Sequence, residues 1–152
     1  MPNITTFLLV DDDPNTVFLV ERVFKQALAH LGFRSVGDGI EAIEYLKREG
    51  AHADGAKSPQ ADVILLDLKM PRLDGFGFLE RLRTGAAGRN QLLPVVVMSS
   101  SALPQDVVRA YRLGANSYIV KCTNWHQFQE RIKLLGIYWA EHVEKPSGNG
   151  KL

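Results

Sequence analysis

Residues 62–71 read DVILLDLKMP, and this stretch decides the fold. The four consecutive apolar residues at 63–66 are too few for a helix and are polar on neither face. They therefore predict a strand that is buried on both sides, as in parallel sheets. Asp67 follows where this strand leaves the sheet. Ligands of open parallel sheets bind at the carboxyl ends of the strands, so Asp67 is a candidate site residue, although capping a turn explains a single aspartate equally well.

The composition is that of one globular domain. The chain has 152 residues, of which 45% are hydrophobic and 23% charged, as in ordinary soluble proteins. A net charge of +1 gives no reason to expect nucleic acid or an anionic membrane as a partner. Cys122 is the one cysteine, which excludes an internal disulfide and a multi-cysteine metal site. No apolar run approaches the roughly 20 residues that span a bilayer, and we expect a cytoplasmic protein.

Short apolar segments alternate with helical patterns along the whole chain. The predicted strands lie near residues 7–10, 33–36, 63–66, 94–98 and 117–120. The predicted helices cover about residues 14–31, 40–49, 76–84, 105–113 and 124 to beyond 139. Residues 51–61 are predicted to be a surface loop and residues 146–152 a disordered tail. This alternation predicts parallel strands joined by right-handed crossovers, and hence a doubly wound α/β fold of three layers.

Polar side chains follow four of the predicted strands. Asp11 and Asp12 follow the first strand, Asp67 the third, Ser99 the fourth and Lys121 the fifth. If the first and third strands are neighbours, about 4.8 Å apart, their carboxylates are close enough to share one divalent ion. Without a cation the carboxylates repel and raise one another's pKa. Because oxygen ligands of this kind suit Mg²⁺, the pattern predicts a magnesium site.

These residue types together fit phosphoryl transfer. A metal, the Ser99 hydroxyl and the Lys121 ammonium would neutralise charge on the phosphoryl oxygens, and Asp67 would be the carboxylate nucleophile. Taken singly, Ser99 is better explained as a turn residue and Lys121 as a solvated surface charge. Their occurrence together at strand ends favours the functional interpretation.

Four segments carry a resemblance to a known family. They are LLVDD at 8–12, LLDLKMP at 65–71 with Asp74-Gly75, VMS at 97–99 and SYIVK at 117–121. Over about residues 5–140 the chain resembles the receiver domain of two-component response regulators. The resemblance implies a flavodoxin-like (βα)5 fold over residues 5–145, with a five-stranded sheet of order 2-1-3-4-5. It also implies that Asp67 accepts a phosphoryl group from a sensor histidine kinase, with only slow self-catalysed phosphorylation and dephosphorylation.

The resemblance also assigns roles to the surrounding residues. It implies that Asp12 binds Mg²⁺ directly, that Asp11 binds it largely through water, and that Lys69 lends its main-chain carbonyl. Ser99 and Lys121 would contact the phosphoryl oxygens.

Two further residues have roles in the family pattern. Tyr118 would be an aromatic switch that turns inward when Ser99 is drawn to the phosphate, although packing on a neighbouring helix explains it as well. The family has proline after the lysine, joined by a cis bond, whereas this chain has Cys122. The Lys121-Cys122 bond is therefore either trans, with a shifted loop, or cis under strain.

The C-terminal part gives a narrower resemblance. Residues 113–118 and 128–139 are similar to the small single-domain regulators that pair with bacterial phytochromes, which implies a phytochrome-type kinase as partner. Little chain follows the last predicted helix, so we expect output through a partner protein, a further phosphorelay step or dimerisation.

The last predicted helix is longer than the sheet requires. A helix that covers strands of about 17 Å needs about 11 or 12 residues, yet apolar positions continue to Trp139 and Val143, which are expected to overhang the sheet. Leu134, Ile137 and Tyr138 lie off the core stripe. We expect a symmetric homodimer through this helix and the fifth strand, with Tyr118, Leu134, Tyr138 and Trp139 in the interface. A helix that packs on its own N-terminal loop is the alternative.

Three other functions fit less well. A haloacid-dehalogenase type of hydrolase also forms an aspartyl phosphate, and Asp11 and Asp13 match its motif, but position 15 is Asn and no later acidic pair follows. A receiver-like scaffold that is never phosphorylated would not need the carboxylate cluster. A nucleotide-binding loop at Gly75-Phe76-Gly77 lacks the third glycine.

Overall fold

Five parallel strands form one sheet in a computed structural model that describes residues 4–88 and 90–146. The strands are β1 (Thr6–Val10), β2 (Gly32–Val36), β3 (Val63–Leu66), β4 (Val95–Ser99) and β5 (Ser117–Val120). The sheet order is β2-β1-β3-β4-β5, so the predicted doubly wound, flavodoxin-like fold is confirmed. Of the predicted disordered tail, residues 147–152 lie outside the described residues.

Helices cover both faces of the sheet. They are α1 (Pro14–Ala27), α2 (Gly39–Lys47), α3 (Gly75–Thr84), α4 (Pro104–Arg112) and α5 (Trp125–Ile137), with a π-helical turn at Tyr138–His142 and a short 3₁₀ turn at Gly50–His52. Residues of α1 and α5 pack on one face, and residues of α2, α3 and α4 pack on the other. In α4, Ala110 alone is buried. Within the described residues, no helix is long and apolar enough to cross a membrane.

The apolar run in β3 is explained by burial on both faces of the strand, as the sequence suggests. Val63 and Leu65 point into the core with α1 and α5, whereas Ile64 and Leu66 point into the core on the opposite face. All four side chains are fully buried. A strand with helices on both faces has no solvent side, so no polar residue interrupts it.

Helix α1 is shorter than predicted. It ends at Ala27, and Leu28 caps it by donating its N–H to the carbonyl of Phe24 at 3.0 Å. The apolar pattern continued to Leu31 because Leu28 and Leu31 pack on the same core as the helix although they lie in the following turn. Sequence spacing alone does not distinguish an apolar residue in the helix from one in the turn that follows it.

The loop between α2 and β3 is on the surface, as predicted, but it is tied back to the domain. The Tyr45 hydroxyl donates to the carbonyl of Pro59 at 2.5 Å. Ser58 and Ala61 are buried. The loop therefore contributes to the core at its C-terminal end.

Trp139 does not overhang the sheet as predicted. It is partly buried and packs against the core formed with α1 and α5. The reason is that α1 and the turn after it extend this core past the sheet: a Cβ on Gly136 would lie 2.6 Å from Cδ1 of Leu28, so the two segments are in close contact. His30 and Glu141 continue the contact with a distance of 3.2 Å.

Candidate functional site

Three carboxylates meet at the carboxyl edge of the sheet. Val10 of β1 is paired with Leu66 of β3, so Asp11 and Asp67 leave the sheet side by side. Carboxylate oxygens of Asp11, Asp12 and Asp67 all lie within 4.8 Å of one another. Asp11 is 2% exposed and Asp67 is 7% exposed. The structure thus brings together the three acidic residues that the sequence singled out.

Lys121 reaches this cluster from the end of β5. Its Nζ donates to Oδ2 of Asp11 at 2.9 Å and lies 3.6 Å from Oδ1 of Asp67. The other oxygen of Asp11 accepts from the main-chain N–H of Asp13 at 2.9 Å. The cluster thus holds three carboxylates and one ammonium, so it keeps an excess of negative charge.

The pKa of Asp67 is raised from 3.8 to about 6. Burial is the main cause and the charge of Asp11 adds to it, while Lys121 and the main-chain N–H groups of Lys69 and Leu68 act in the opposite direction. A cation would offset both the burial of the charge and the repulsion by Asp11. Because the side-chain donors are all carboxylate oxygens, which Mg²⁺ prefers, the cluster fits a divalent metal ion. The side chain of Lys69 is exposed.

Ser99 ends β4 beside the cluster and begins a hydrogen-bonded chain to α4. Its side chain is 1% exposed, and Oγ accepts from the N–H of Ser101 at 3.1 Å. Ser101 donates its hydroxyl to Asp106 of α4 at 2.5 Å. Tyr118 donates its hydroxyl to the carbonyl of Ser101 at 2.8 Å.

Tyr118 is thus directed toward the β4–α4 loop, and it also packs against the core shared by α2, α3 and α4. The hydrogen bond between Ser101 and Asp106 was not predicted from the sequence. A hydroxyl residue three positions before Pro104, with an acid in the first helical turn, was the available signal.

The Lys121-Cys122 bond is trans, as is every peptide bond within residues 4–88 and 90–146. The bond is therefore trans, as in the first of the two alternatives, and the shifted loop of that alternative stays a prediction. Cys122 is partly buried, and it packs against the core formed with α1 and α5. Lys121 contacts Asp11 from this backbone conformation.

Two motifs from the rival interpretations have structural roles. Asp13 is the N-cap of α1, where its carboxylate accepts from the N–H of Asn15 at 2.9 Å and the hydroxyl of Thr16 at 3.2 Å. A Cβ on Gly75 would lie 2.3 Å from the carbonyl oxygen of Asp67, so this glycine permits close packing of α3 on the end of β3. Neither residue needs a ligand to explain it.

The four residues predicted for a dimer interface lie together along β5 and α5. Tyr118, Leu134, Tyr138 and Trp139 line an open cleft of about 860 Å³. Leu134 is 67% exposed and Tyr138 is 56% exposed. Arg131 crosses the cleft and donates to the carbonyl of Val120 at 2.8 Å.

Known proteins resemble the chain in both sequence and fold. Residues 7–133 match the family model of the response regulator receiver domain. The response regulator Rcp1 of Synechocystis sp. is 29% identical over 140 residues, which cover 92% of each chain. Its Mn²⁺-bound crystal structure has a TM-score of 0.80 and covers 94% of this chain and 99% of that one.

Two further solved structures are 30% identical to this chain. The phosphorylated cyanobacterial phytochrome response regulator RcpA has a TM-score of 0.86 and covers 95% of this chain and 100% of its own. The response regulator RPA3017, in red light signaling of R. palustris, has a TM-score of 0.85 with 95% and 99% covered. The chain therefore belongs to the response regulator receiver domain family and is related to phytochrome response regulators.

Proposed function

We propose that residues 5–145 form a receiver domain that accepts a phosphoryl group on Asp67 from a sensor histidine kinase. One observation carries this proposal: a buried carboxylate at the end of β3 lies among Asp11, Asp12 and the ammonium of Lys121. A nucleophile, an excess of negative charge that favours a cation, and a fixed positive charge are the parts that phosphoryl transfer needs.

The transfer exchanges one phosphorus bond for another. A carboxylate oxygen of Asp67 attacks the phosphorus of the phosphohistidine, and the P–N bond breaks with its electron pair going to the imidazole. Asp67 must be ionised for this step, and its pKa of about 6 leaves it mostly ionised at neutral pH. Lys121 and Ser99 pair with the phosphoryl oxygens through their ammonium and hydroxyl groups.

A Mg²⁺ ion would be held by Asp12, Asp67 and the main-chain carbonyl of Lys69, with Asp11 acting largely through water. When bound, the ion neutralises charge on the phosphoryl oxygens and on the carboxylates. The donor chemistry of the cluster supports this assignment, as does the Mn²⁺-bound form of Rcp1, which is 29% identical to this chain.

Phosphorylation would be transmitted through the contacts of Ser99. If the Ser99 hydroxyl turns to the phosphoryl group, it releases the N–H of Ser101. The carbonyl of Ser101 accepts the hydrogen bond from the Tyr118 hydroxyl. Tyr118 and the β4–α4 loop then adjust together. This is the switch role proposed for Tyr118.

The proposed partner is a cytoplasmic histidine kinase of the phytochrome type. The likeness to RcpA and to RPA3017 supports this assignment, because RcpA is a phytochrome response regulator and RPA3017 acts in red light signaling. Only slow self-catalysed phosphorylation and dephosphorylation are expected of the chain alone.

We further propose a symmetric homodimer through the cleft between β5 and α5. Leu134 and Tyr138 present exposed apolar surface beside β5, which is an edge strand of the sheet. Light scattering at tens of micromolar should give about twice the chain mass of 16.9 kDa for the wild type. Tyr138→Glu should give the monomer mass, and Phe18→Glu, which alters an exposed aromatic residue on α1, should not. A wild-type mass of one chain would refute the dimer.

The acceptor role has a direct test. The wild type, incubated with acetyl phosphate and Mg²⁺, should gain the mass of one phosphoryl group, and Asp67→Asn should not. Asp54→Asn is the matched control, because Asp54 is exposed and lies in the loop before β3. A phosphoryl group that is retained in Asp67→Asn would assign the acceptor elsewhere.

A further inference from the structure

A two-point contact joins the start of α2 to the loop that follows Asp67. Arg72 donates from Nε to Oδ2 of Asp38 at 2.7 Å and from Nη2 to Oδ1 at 3.0 Å. A bidentate pair of this kind fixes orientation as well as distance. Asp38 is 8% exposed, and it is also the N-cap of α2 through the N–H of Glu41. The arginine is therefore bound to a partner that is itself held in place.

The backbone at Arg72 is strained. Its φ of +65° lies in the left-handed region, which is unfavourable for a residue with a Cβ. Such a conformation persists only where the surroundings hold it. The N–H of Leu73 donates to the carbonyl of Pro71 at 2.8 Å across Arg72, and the pair with Asp38 fixes the side chain of the strained residue itself.

A second contact lies next to the first. The N–H of Gly39 donates to the carbonyl of Leu73 at 3.3 Å. A Cβ on Gly39 would lie 2.8 Å from that oxygen, so no side chain fits between α2 and the loop. Two successive residues of the loop are thus held by two successive residues at the start of α2.

The same loop forms one wall of the acidic cluster. The main-chain N–H groups of Leu68 and Lys69 face the carboxylate of Asp67 and lower its pKa. The loop is closed at its base, where the N–H of Gly75 donates to the carbonyl of Leu68 at 2.9 Å. Lys69 lies only three residues before Arg72, so few backbone torsions separate the held residue from the groups that face Asp67.

We propose that the Asp38–Arg72 pair is a positioning element of the acceptor site. It holds the β3–α3 loop in the conformation in which the main-chain groups of Leu68 and Lys69 meet the acidic cluster. The inference rests on the proposed function, because it assigns the Lys69 carbonyl to the metal. Loss of the pair should weaken Mg²⁺ binding while leaving the fold intact.

The test is Arg72→Asn, because asparagine tolerates the left-handed region and lacks the guanidinium. Titration calorimetry should show a Kd for Mg²⁺ about tenfold higher than in the wild type, as is usual when support of a metal ligand is lost. Phosphorylation by acetyl phosphate should be slower at limiting Mg²⁺ and recover at saturating Mg²⁺. The melting temperature in EDTA should stay within about 3 °C of the wild type.

Asp38→Asn keeps an oxygen for the N–H of Glu41, so it should weaken the pair without removing the helix cap. Its effect on Mg²⁺ binding should be smaller than that of Arg72→Asn. The double variant should bind Mg²⁺ no more weakly than Arg72→Asn alone, because both changes act through one contact. An additive loss in the double variant would overturn the proposal.

Arg48→Asn is the matched control. Arg48 has a φ of +58° and caps the other end of α2, about 15 Å from Asp38 by the helical rise. Arg48→Asn should leave the Mg²⁺ affinity unchanged. Equal Mg²⁺ affinity in Arg72→Asn and the wild type, or an equal loss in Arg48→Asn, would overturn the positioning role alone. A wild type that binds no Mg²⁺ and takes no phosphate would overturn this role and the proposed function together.

Discussion

Asp67→Asn should stabilise the metal-free protein. The change removes a negative charge from a buried cluster and keeps the shape of the side chain. The pKa of Asp67 is about 6 in the folded protein because of burial and the charge of Asp11, against an ordinary value of 3.8. The folded state therefore binds this proton more tightly than the unfolded chain does. The resulting stability is present below pH 3.8 and is lost as the pH rises through 6.

The magnitude follows from the two pKa values. At pH 7.5 the ionisation of Asp67 lowers the free energy of unfolding by about 3 kcal/mol, and at pH 5 by about 1.5 kcal/mol. For a domain of this size, about 3 kcal/mol corresponds to roughly 6–12 °C in melting temperature. Lys121 keeps Asp11 as its partner in the variant, so the substitution leaves the ammonium of Lys121 paired.

Thermal melts in EDTA and in Mg²⁺ would measure the effect. In EDTA at pH 7.5, Asp67→Asn should melt above the wild type, and the difference should narrow at pH 5. Mg²⁺ should stabilise the wild type more than the variant, because the variant has lost a ligand. Asp12→Asn should also melt above the wild type in EDTA and gain less from Mg²⁺. Asp54→Asn removes an exposed carboxylate and should leave the melting temperature nearly unchanged.

Two results would refute this reasoning. Equal melting temperatures for the wild type and Asp67→Asn in EDTA would show that the cluster does not destabilise the fold. Equal melting temperatures for the wild type in EDTA and in Mg²⁺ would show that the cluster is not a metal site.

Three substitutions test other parts of the structure. Arg83→Met should lower the free energy of unfolding in urea by about 2–4 kcal/mol, because Arg83 donates to several main-chain carbonyls, whereas Arg81→Met should have little effect. Gly75→Ala should lower the melting temperature by at least about 5 °C, since its Cβ would lie 2.3 Å from the carbonyl oxygen of Asp67; an unchanged value would contradict this contact. Lys69→Ala should shorten the half-life of the aspartyl phosphate about two- to fivefold, the equivalent of one exposed ion pair, and an unchanged decay rate would show that Lys69 points away.

The strands could be predicted because their signals are local. The apolar run before Asp67 reflects burial on both faces, which depends on the strand itself and not on a particular partner. Once the strands alternate with helices, parallel topology places Asp11 and Asp67 at the same edge of the sheet. The gathering of the acidic residues also requires β1 and β3 to be neighbours, and this sheet order came from the family resemblance.

The remaining features depend on pairs that are distant in sequence. Asp38 and Arg72 are 34 residues apart, and each is an ordinary loop residue by itself. Among the described residues Arg83 has no acidic partner, and it binds carbonyls of other segments, which no side-chain pattern reveals. The partial burial of Trp139 was missed for the same reason, because it depends on the turn after α1.

The shallow burial of α4 has a consequence for signalling. Ala110 is the one buried residue of this helix, and Arg109 lies over the ring of Phe76, so little apolar surface opposes its displacement. The hydrogen bonds of Ser101 to Asp106 and Tyr118 are then a large share of what holds α4 in place. We expect amide hydrogens of α4 to exchange with solvent faster than those of α3, whose apolar face is deeply buried. Phosphorylation of Asp67 would thus act on α4, which has the fewest buried residues of the five helices, so a small free energy would displace it.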